Sequence, residues 1–169
     1  WSTPVLWSNK TRKELVVCGS GFVTSYEPES GEVLWNLTGM GGSFTSSPAT
    51  DENRIYFGNS GPGSRGPLVA VNAGASGDID LRAGDAEQDG LAWSVRSAGP
   101  GMASPVVVNG YLYVVSSGIL GCYDAETGDR VYRERLPEMS SAASSLIGTG
   151  DHVYILGEQG KTAVVKVGQ

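Results

Sequence analysis

The feature that most restricts how this chain can fold is that it repeats itself. One unit runs from Ser2-Thr3-Pro4-Val5 through Glu14-Leu15-Val16-Val17-Cys18 and Phe22-Val23-Thr24-Ser25-Tyr26 to Glu32-Val33-Leu34-Trp35. A second restarts at Ser46-Ser47-Pro48 and passes Arg54-Ile55-Tyr56-Phe57-Gly58 and Leu68-Val69-Ala70-Val71 before closing on Leu91-Ala92-Trp93. The third has Ala103-Ser104-Pro105, Tyr111-Leu112-Tyr113-Val114-Val115, Leu120-Gly121-Cys122-Tyr123 and Arg130-Val131-Tyr132. The fourth begins at Ala143-Ser144-Ser145-Leu146, passes His152-Val153-Tyr154-Ile155-Leu156 and stops after Ala163-Val164-Val165-Lys166-Val167. Each apolar run is short, rich in β-branched and aromatic residues, and bounded by turn residues, which is the pattern of strands. Three units carry four such runs and the last carries three.

The joints obey turn chemistry. Asn109-Gly110 lies between two β-rich runs, where a tight hairpin needs positive φ at both central positions. Glu27 to Gly31 and Asp124 to Gly128 occupy equivalent places before a fourth strand. In each, an acid can bond the turn backbone and a glycine can take the left-handed position. Pro4, Pro48 and Pro105 open a first strand, where a missing N–H costs least. The 25 glycines sit singly between apolar runs, as many tight turns require. No stretch keeps a helical period. Four-stranded units of about 40 residues in tandem build a β-propeller, each sheet packed face to face on the next. The expectation is therefore an all-β fold: a partial propeller of about four antiparallel blades, the last incomplete. The units fall at approximately 1–40, 41–98, 99–138 and 139–169 of a single segment, 1–169. Trp35, Trp93 and Tyr132 recur at the end of the fourth strand and are read as inter-blade packing. Burying one removes about 150–250 Å² from water.

At this point the residues resemble a known family. Tyr26-Glu27-Pro28-Glu29-Ser30-Gly31-Glu32-Val33-Leu34-Trp35 and Tyr123-Asp124-Ala125-Glu126-Thr127-Gly128-Asp129-Arg130-Val131-Tyr132 resemble the pyrroloquinoline-quinone (PQQ) enzyme repeat, and the likeness covers the whole chain. It is most similar to the PQQ-binding-like propeller proteins of planctomycete type. The repeat is shared by quinoprotein dehydrogenases, by the propeller lipoprotein of outer-membrane assembly and by other extracytoplasmic proteins. A periplasmic or secreted location is what the resemblance implies. The dehydrogenases of this kind have eight blades, a vicinal cysteine pair over the quinone, a calcium ion held by Glu, Asn and Asp, and a catalytic aspartate. Here the two cysteines, Cys18 and Cys122, lie in different repeats and in apolar strands, the setting of buried thiols. No residue falls on the dehydrogenase site, so neither PQQ nor calcium is expected outside a complete parent protein. Fold does not imply function.

Other constellations have plainer structural readings. The span 72–90 interrupts the second unit with Asp78, Asp80, Asp85, Glu87 and Asp89. Asp85, Glu87 and Asp89 imitate the opening of a calcium loop, but Arg96 stands where its closing glutamate belongs. A solvated acidic loop is the expected reading. Gly160-Lys161-Thr162 lacks the strand–loop–helix setting of a phosphate loop. The loop of Arg65 and Gly66, with 61–64 before it, could present backbone N–H groups and a guanidinium to an anion, though glycine-rich hairpins do this only occasionally. His152, the single histidine, enters a strand where other units have Arg54 and Tyr111, which suits a structural place better than a Ser/His/Asp triad. A net charge of −6 argues against a nucleic-acid surface. The longest apolar runs fall far short of the roughly 20 residues that span a bilayer.

The expected function is that of a non-catalytic propeller segment, structural or binding a protein or extracellular polymer. The alternative is a part of a larger PQQ-dependent oxidoreductase whose catalytic groups lie elsewhere. The chain opens on Trp1 and stops three strands into its last unit. It is expected to be a piece of a longer parent, or to self-associate through its open propeller ends.

Overall fold

The computed structural model describes residues 2–61, 64–83 and 88–168. Among them one turn of 3-10 helix, Leu81–Ala83, is the only helical element, and sixteen strands make four sheets. Blade I holds β1 (Val5–Ser8), β2 (Lys13–Cys18), β3 (Val23–Tyr26) and β4 (Val33–Thr38). Blade II holds β5 (Ala49–Thr50), β6 (Arg54–Gly61), β7 (Ser64–Asn72) and β9 (Leu91–Val95). Blade III is β10 (Val106–Val108), β11 (Tyr111–Ser116), β12 (Ile119–Asp124) and β13 (Arg130–Arg135). Blade IV shows β14 (Ile147–Thr149), β15 (His152–Leu156) and β16 (Thr162–Lys166). Within each blade successive strands pair antiparallel in chain order. The architecture is that of a partial propeller.

One strand departs from that plan. The interruption of the second unit, read from sequence as a solvated loop, contributes β8 (Gly77–Asp80), which joins blade I as a fifth strand, parallel to β4. A single apolar side chain carries the strand: Ile79 is fully buried in the core between blades I and II. Asn36 donates to the Asp78 carboxylate at 3.2 Å, and Gln88 grips the Asp80 backbone, accepting from its N–H at 2.6 Å and donating to its carbonyl at 2.8 Å.

Strand alternation puts an apolar row on both faces of each blade, and each inner seam gathers one core. Between blades I and II it includes Val16, Val23 and Trp35 against Ile55, Phe57 and Val69. Between II and III, Tyr56, Leu68, Ala70 and Trp93 meet Leu112, Val114 and Tyr123. Between III and IV, Tyr113, Val115 and Cys122 meet Val153 and Ile155. A polar belt runs beside these cores. The residue before each opening proline carries a hydroxyl, and Thr3 N–H donates to Ser47 Oγ at 3.1 Å while Ser47 N–H donates to Ser104 Oγ at 2.9 Å. The same position thus passes a hydrogen bond from blade to blade.

The first seam also buries a carboxylate. Glu14 is fully buried in β2. Its Oε2 accepts from Ser25 Oγ and Trp35 Nε1, both at 2.7 Å, and its Oε1 from Asn9 Nδ2 at 2.9 Å and Arg12 Nε at 3.1 Å. Arg12 reaches on to the Ala75 carbonyl at 2.5 Å, so one acid ties β3, β4, the β1–β2 turn and the approach to β8 together. A buried charge is tolerated only when it is paired and bonded, and here each oxygen has two donors. Replacing Glu14 by Ala strands the buried donors, and a loss of about 3 kcal/mol or more is expected in urea unfolding followed by tryptophan fluorescence. Glu14→Gln, which keeps one acceptor oxygen, should lose less.

Candidate functional site

The repeat residues sit on the turns and outer strands that order each seam. Gly31 and Gly128 both have left-handed φ, 74° and 78°. Each closes a turn in which an acid binds backbone: Glu27 Oε2 accepts from the N–H groups of Glu29 and Ser30 at 2.9 and 2.5 Å, and Asp124 Oδ1 from those of Glu126 and Thr127 at 2.8 and 2.9 Å. These backbone bonds hold the Glu27 and Asp124 carboxyls below the usual range. The aromatic position is used in three ways. Trp35 stacks on Phe57 of the next blade, with ring centres 6.5 Å apart, while bonding Glu14 in its own. Trp93 crosses the seam: its Nε1 donates to the Ala125 carbonyl at 3.1 Å and its ring lies on Gly128. Tyr132 is half-buried against the third core, beside Tyr113 and Cys122.

The other sequence candidates do not come together. Asp85 and Glu87 lie outside the described residues, and Asp89 is exposed on the turn before β9. Among the described residues no three His, Cys, Asp or Glu side chains converge as a metal site would need. His152 bonds its chain neighbour Asp151 at 2.7 Å on the partly open end of blade IV. Lys161, in the β15–β16 turn, forms an ion pair with Glu138, which lies between β13 and β14. Cys18 in blade I and Cys122 in blade III are free. Burial pushes the Cys18 thiol up to about 11 and raises that of Cys122 as well, away from the reactive thiolate.

Two surfaces stand out by their chemistry. The first is the pair of end faces. Tyr56, Tyr113 and Tyr154 occupy one position in blades II, III and IV, on the side turned to the following blade. The first two are 0% exposed and the third 38%. Ile147, Val164 and Leu156 share its open face, since Tyr154 pairs with Ile147 and with Val164. At the opposite end Leu15 and Val17 are the blade I counterparts of rows that are buried in every later blade, and Leu6, paired with Leu15, is exposed. The second surface is a cavity of about 560 Å³ between blades II and III, lined by Arg65, Arg96, Arg130 and Arg133 together with Tyr123 and Ser97. Sequence reading singled out only Arg65 of these four. They come from three segments up to 68 positions apart, which no local motif reveals; the readable signal is β13, whose fourth-strand sequence Arg130-Val131-Tyr132-Arg133-Glu134-Arg135 differs from the Val33-Leu34-Trp35-Asn36-Leu37-Thr38 of β4.

The profile of the family described as outer membrane protein assembly factor BamB matches residues 19–169. The chain belongs to that family. No curated protein matches it in sequence. Among solved structures it is similar to BamB from Moraxella catarrhalis, with TM-score 0.63 and 15% identity over 98% of this chain and 47% of that one. The chain thus spans about half the length of that BamB. It is similar over 96% of both chains to the computationally designed protein Ika4, with TM-score 0.69 and 12% identity. It also resembles the quinohemoprotein alcohol dehydrogenase of Comamonas testosteroni, with TM-score 0.62 and 14% identity over 91% of this chain and 28% of that one. At these identities the likeness establishes the PQQ-repeat propeller fold that the BamB family shares with the dehydrogenase.

Within this BamB-family chain the two turn glycines differ in one respect. A β-carbon on Gly31 would meet nothing within 4 Å, whereas on Gly128 it would lie 2.7 Å from Cδ2 of Trp93. Gly31→Ala should therefore cost only the left-handed strain, about 1–2 kcal/mol. Gly128→Ala should cost clearly more and shift the Trp93 emission, read by comparing the urea midpoints and spectra of the two variants.

Proposed function

We propose that this chain is a non-catalytic structural and protein-binding segment of a propeller, and that its end faces pair head to tail with a second copy. The observation that carries the reading is continuity. The open face of blade IV presents Tyr154 where Tyr56 and Tyr113 are buried by the next blade. The hydroxyl position recurs at both ends, with exposed Thr3 in blade I and exposed Ser145 at the equivalent place in blade IV. A blade I face set on a blade IV face reproduces an inner seam, and two copies of four blades complete a ring of eight. The family's description as an assembly factor is in keeping with a role in protein contacts and with a periplasmic or secreted setting.

Light scattering should give twice the mass of one chain at micromolar concentration. Tyr154→Asp puts a charge into the new seam and should weaken pairing at least about 30-fold without changing the circular dichroism. Leu6→Asp should do the same from the other end. Mixing the two variants should recover a complex, because one seam between them is intact. A single-chain mass at every concentration would refute the pairing.

A second reading, that the segment belongs to a larger quinoprotein oxidoreductase, draws on the likeness to the alcohol dehydrogenase. The separation of Cys18 and Cys122 in different blades does not fit the vicinal pair of such enzymes. Titrating the chain with PQQ and calcium and recording absorbance separates the readings: stoichiometric binding would favour the oxidoreductase.

A further inference from the structure

The arginine cavity is not explained by the propeller or by the pairing of its ends. Four of the chain's eight arginines line it, in a protein whose net charge is −6, and no Asp or Glu is among the described residues that line it. None of the four is in an ion pair among the described residues. Charges of one sign so placed repel each other. Burial and the neighbouring Arg133 both make the Arg65 guanidinium easier to deprotonate than usual, and among the described residues only one bond, to the Ser116 carbonyl at 3.2 Å, uses its donors. Guanidiniums remain charged in proteins and carry five donors each. The cavity is therefore a place of high positive potential with unspent hydrogen-bonding capacity.

Its construction fixes what would fill it. Arg65 in β7 and Arg96 just after β9 come from blade II, and Arg130 and Arg133 from β13 of blade III. Ser97, between Arg96 and buried Ala98, holds a left-handed φ of 55°. Tyr123, opposite Arg130 in the ladder, adds a phenol to the wall. Donors reaching in from both walls of a seam suit a tetrahedral oxyanion, which accepts along several directions, better than a planar carboxylate, which accepts in one plane. A volume of about 560 Å³ falls in the range of small-molecule sites, and four cations call for more than one negative charge. Arg65, Arg96 and Ser97 also line a second cavity of about 360 Å³, together with Gly39 and Leu81, so the site has room to extend along the outer strands.

We propose that the seam between blades II and III binds a small ligand bearing phosphate groups with two or more negative charges, held by Arg65, Arg96, Arg130 and Arg133. The site lies within one chain and does not depend on the pairing of the end faces. Inorganic pyrophosphate is the probe, titrated calorimetrically in low-salt buffer with a chelator present, with citrate as the parallel arm. One pyrophosphate per chain should bind, with an affinity that falls as salt rises. Arg96→Gln and Arg133→Gln remove exposed side chains, so the fold should stand, and each should weaken binding about tenfold or more. Arg135→Gln, exposed on the same strand but not in the cavity wall, should leave it unchanged. No saturable binding at millimolar pyrophosphate would overturn the site. Equal loss from Arg135→Gln would reduce it to general charge on an exposed edge, and citrate binding as tightly as pyrophosphate would overturn the phosphate assignment.

Discussion

Each sheet in this chain is apolar on both faces, and a sheet of that kind cannot exist on its own. Its two rows must leave water, and only another sheet of matching shape can cover them at the spacing of side chains that interdigitate. The rest of the fold follows from that need. Three seams each hold one core, and the outermost faces, of blades I and IV, keep the same residue types in the same positions without a neighbouring blade over them. The hydrophobic effect is proportional to area and carries no direction. What gives the first two seams their register is polar: hydroxyls passing a bond from Thr3 to Ser47 to Ser104, and indoles reaching fixed carbonyls across a seam, Trp7 to Asp51 and Trp93 to Ala125.

Glu14 shows how far that logic goes. It follows exposed Lys13 in β2, and Arg54, Tyr111 and His152 hold its place in the later blades, yet it is fully buried and accepts four hydrogen bonds. A leucine there would remove the desolvation cost of the acid but leave the Trp35 indole and the Arg12 guanidinium without acceptors. The acid thus serves geometry more than stability. It sets the angle of Trp35 against Phe57, and through Arg12 it brings the chain past Ala75 to the place where β8 can begin. The extra strand of blade I rests on that arrangement.

The blades were legible from sequence because their signals are local. Asn109 and Gly110 both have positive φ, as their hairpin demanded, and Pro4, Pro48 and Pro105 each stand one residue before a strand. The matching roles of Gly31 and Gly128 could be read from the acids four residues earlier. Three things could not be read. β8 has one buried side chain among three polar or small residues, too little for a strand signal, and its pairing with β4 is set by Arg12 and Gln88 from outside it. The hydroxyl belt is visible only when Thr3, Ser47 and Ser104 are aligned by blade. The arginine cavity is assembled by folding alone, from positions that belong to different units. Each of these misses is a contact between segments, and sequence periodicity reports only what happens within one.

The same distinction says where in this fold function is free to vary. The inner three strands of a blade are held by a seam on one side in blades I and IV and on both sides in II and III, and in every blade they read as apolar rows. The fourth strand is an edge, and an edge needs only to avoid pairing with another chain. Blade I meets that need by adding β8, and blade III by charge, with Arg130, Arg133, Glu134 and Arg135 exposed on β13. Charge for edge protection could point anywhere along the strand. That Arg130 and Arg133 instead face a half-buried Arg65 across a seam, at the expense of mutual repulsion, is not something an edge requires. A second demand has shaped that strand, and an anionic ligand between the two blades is the demand that turns the repulsion into binding.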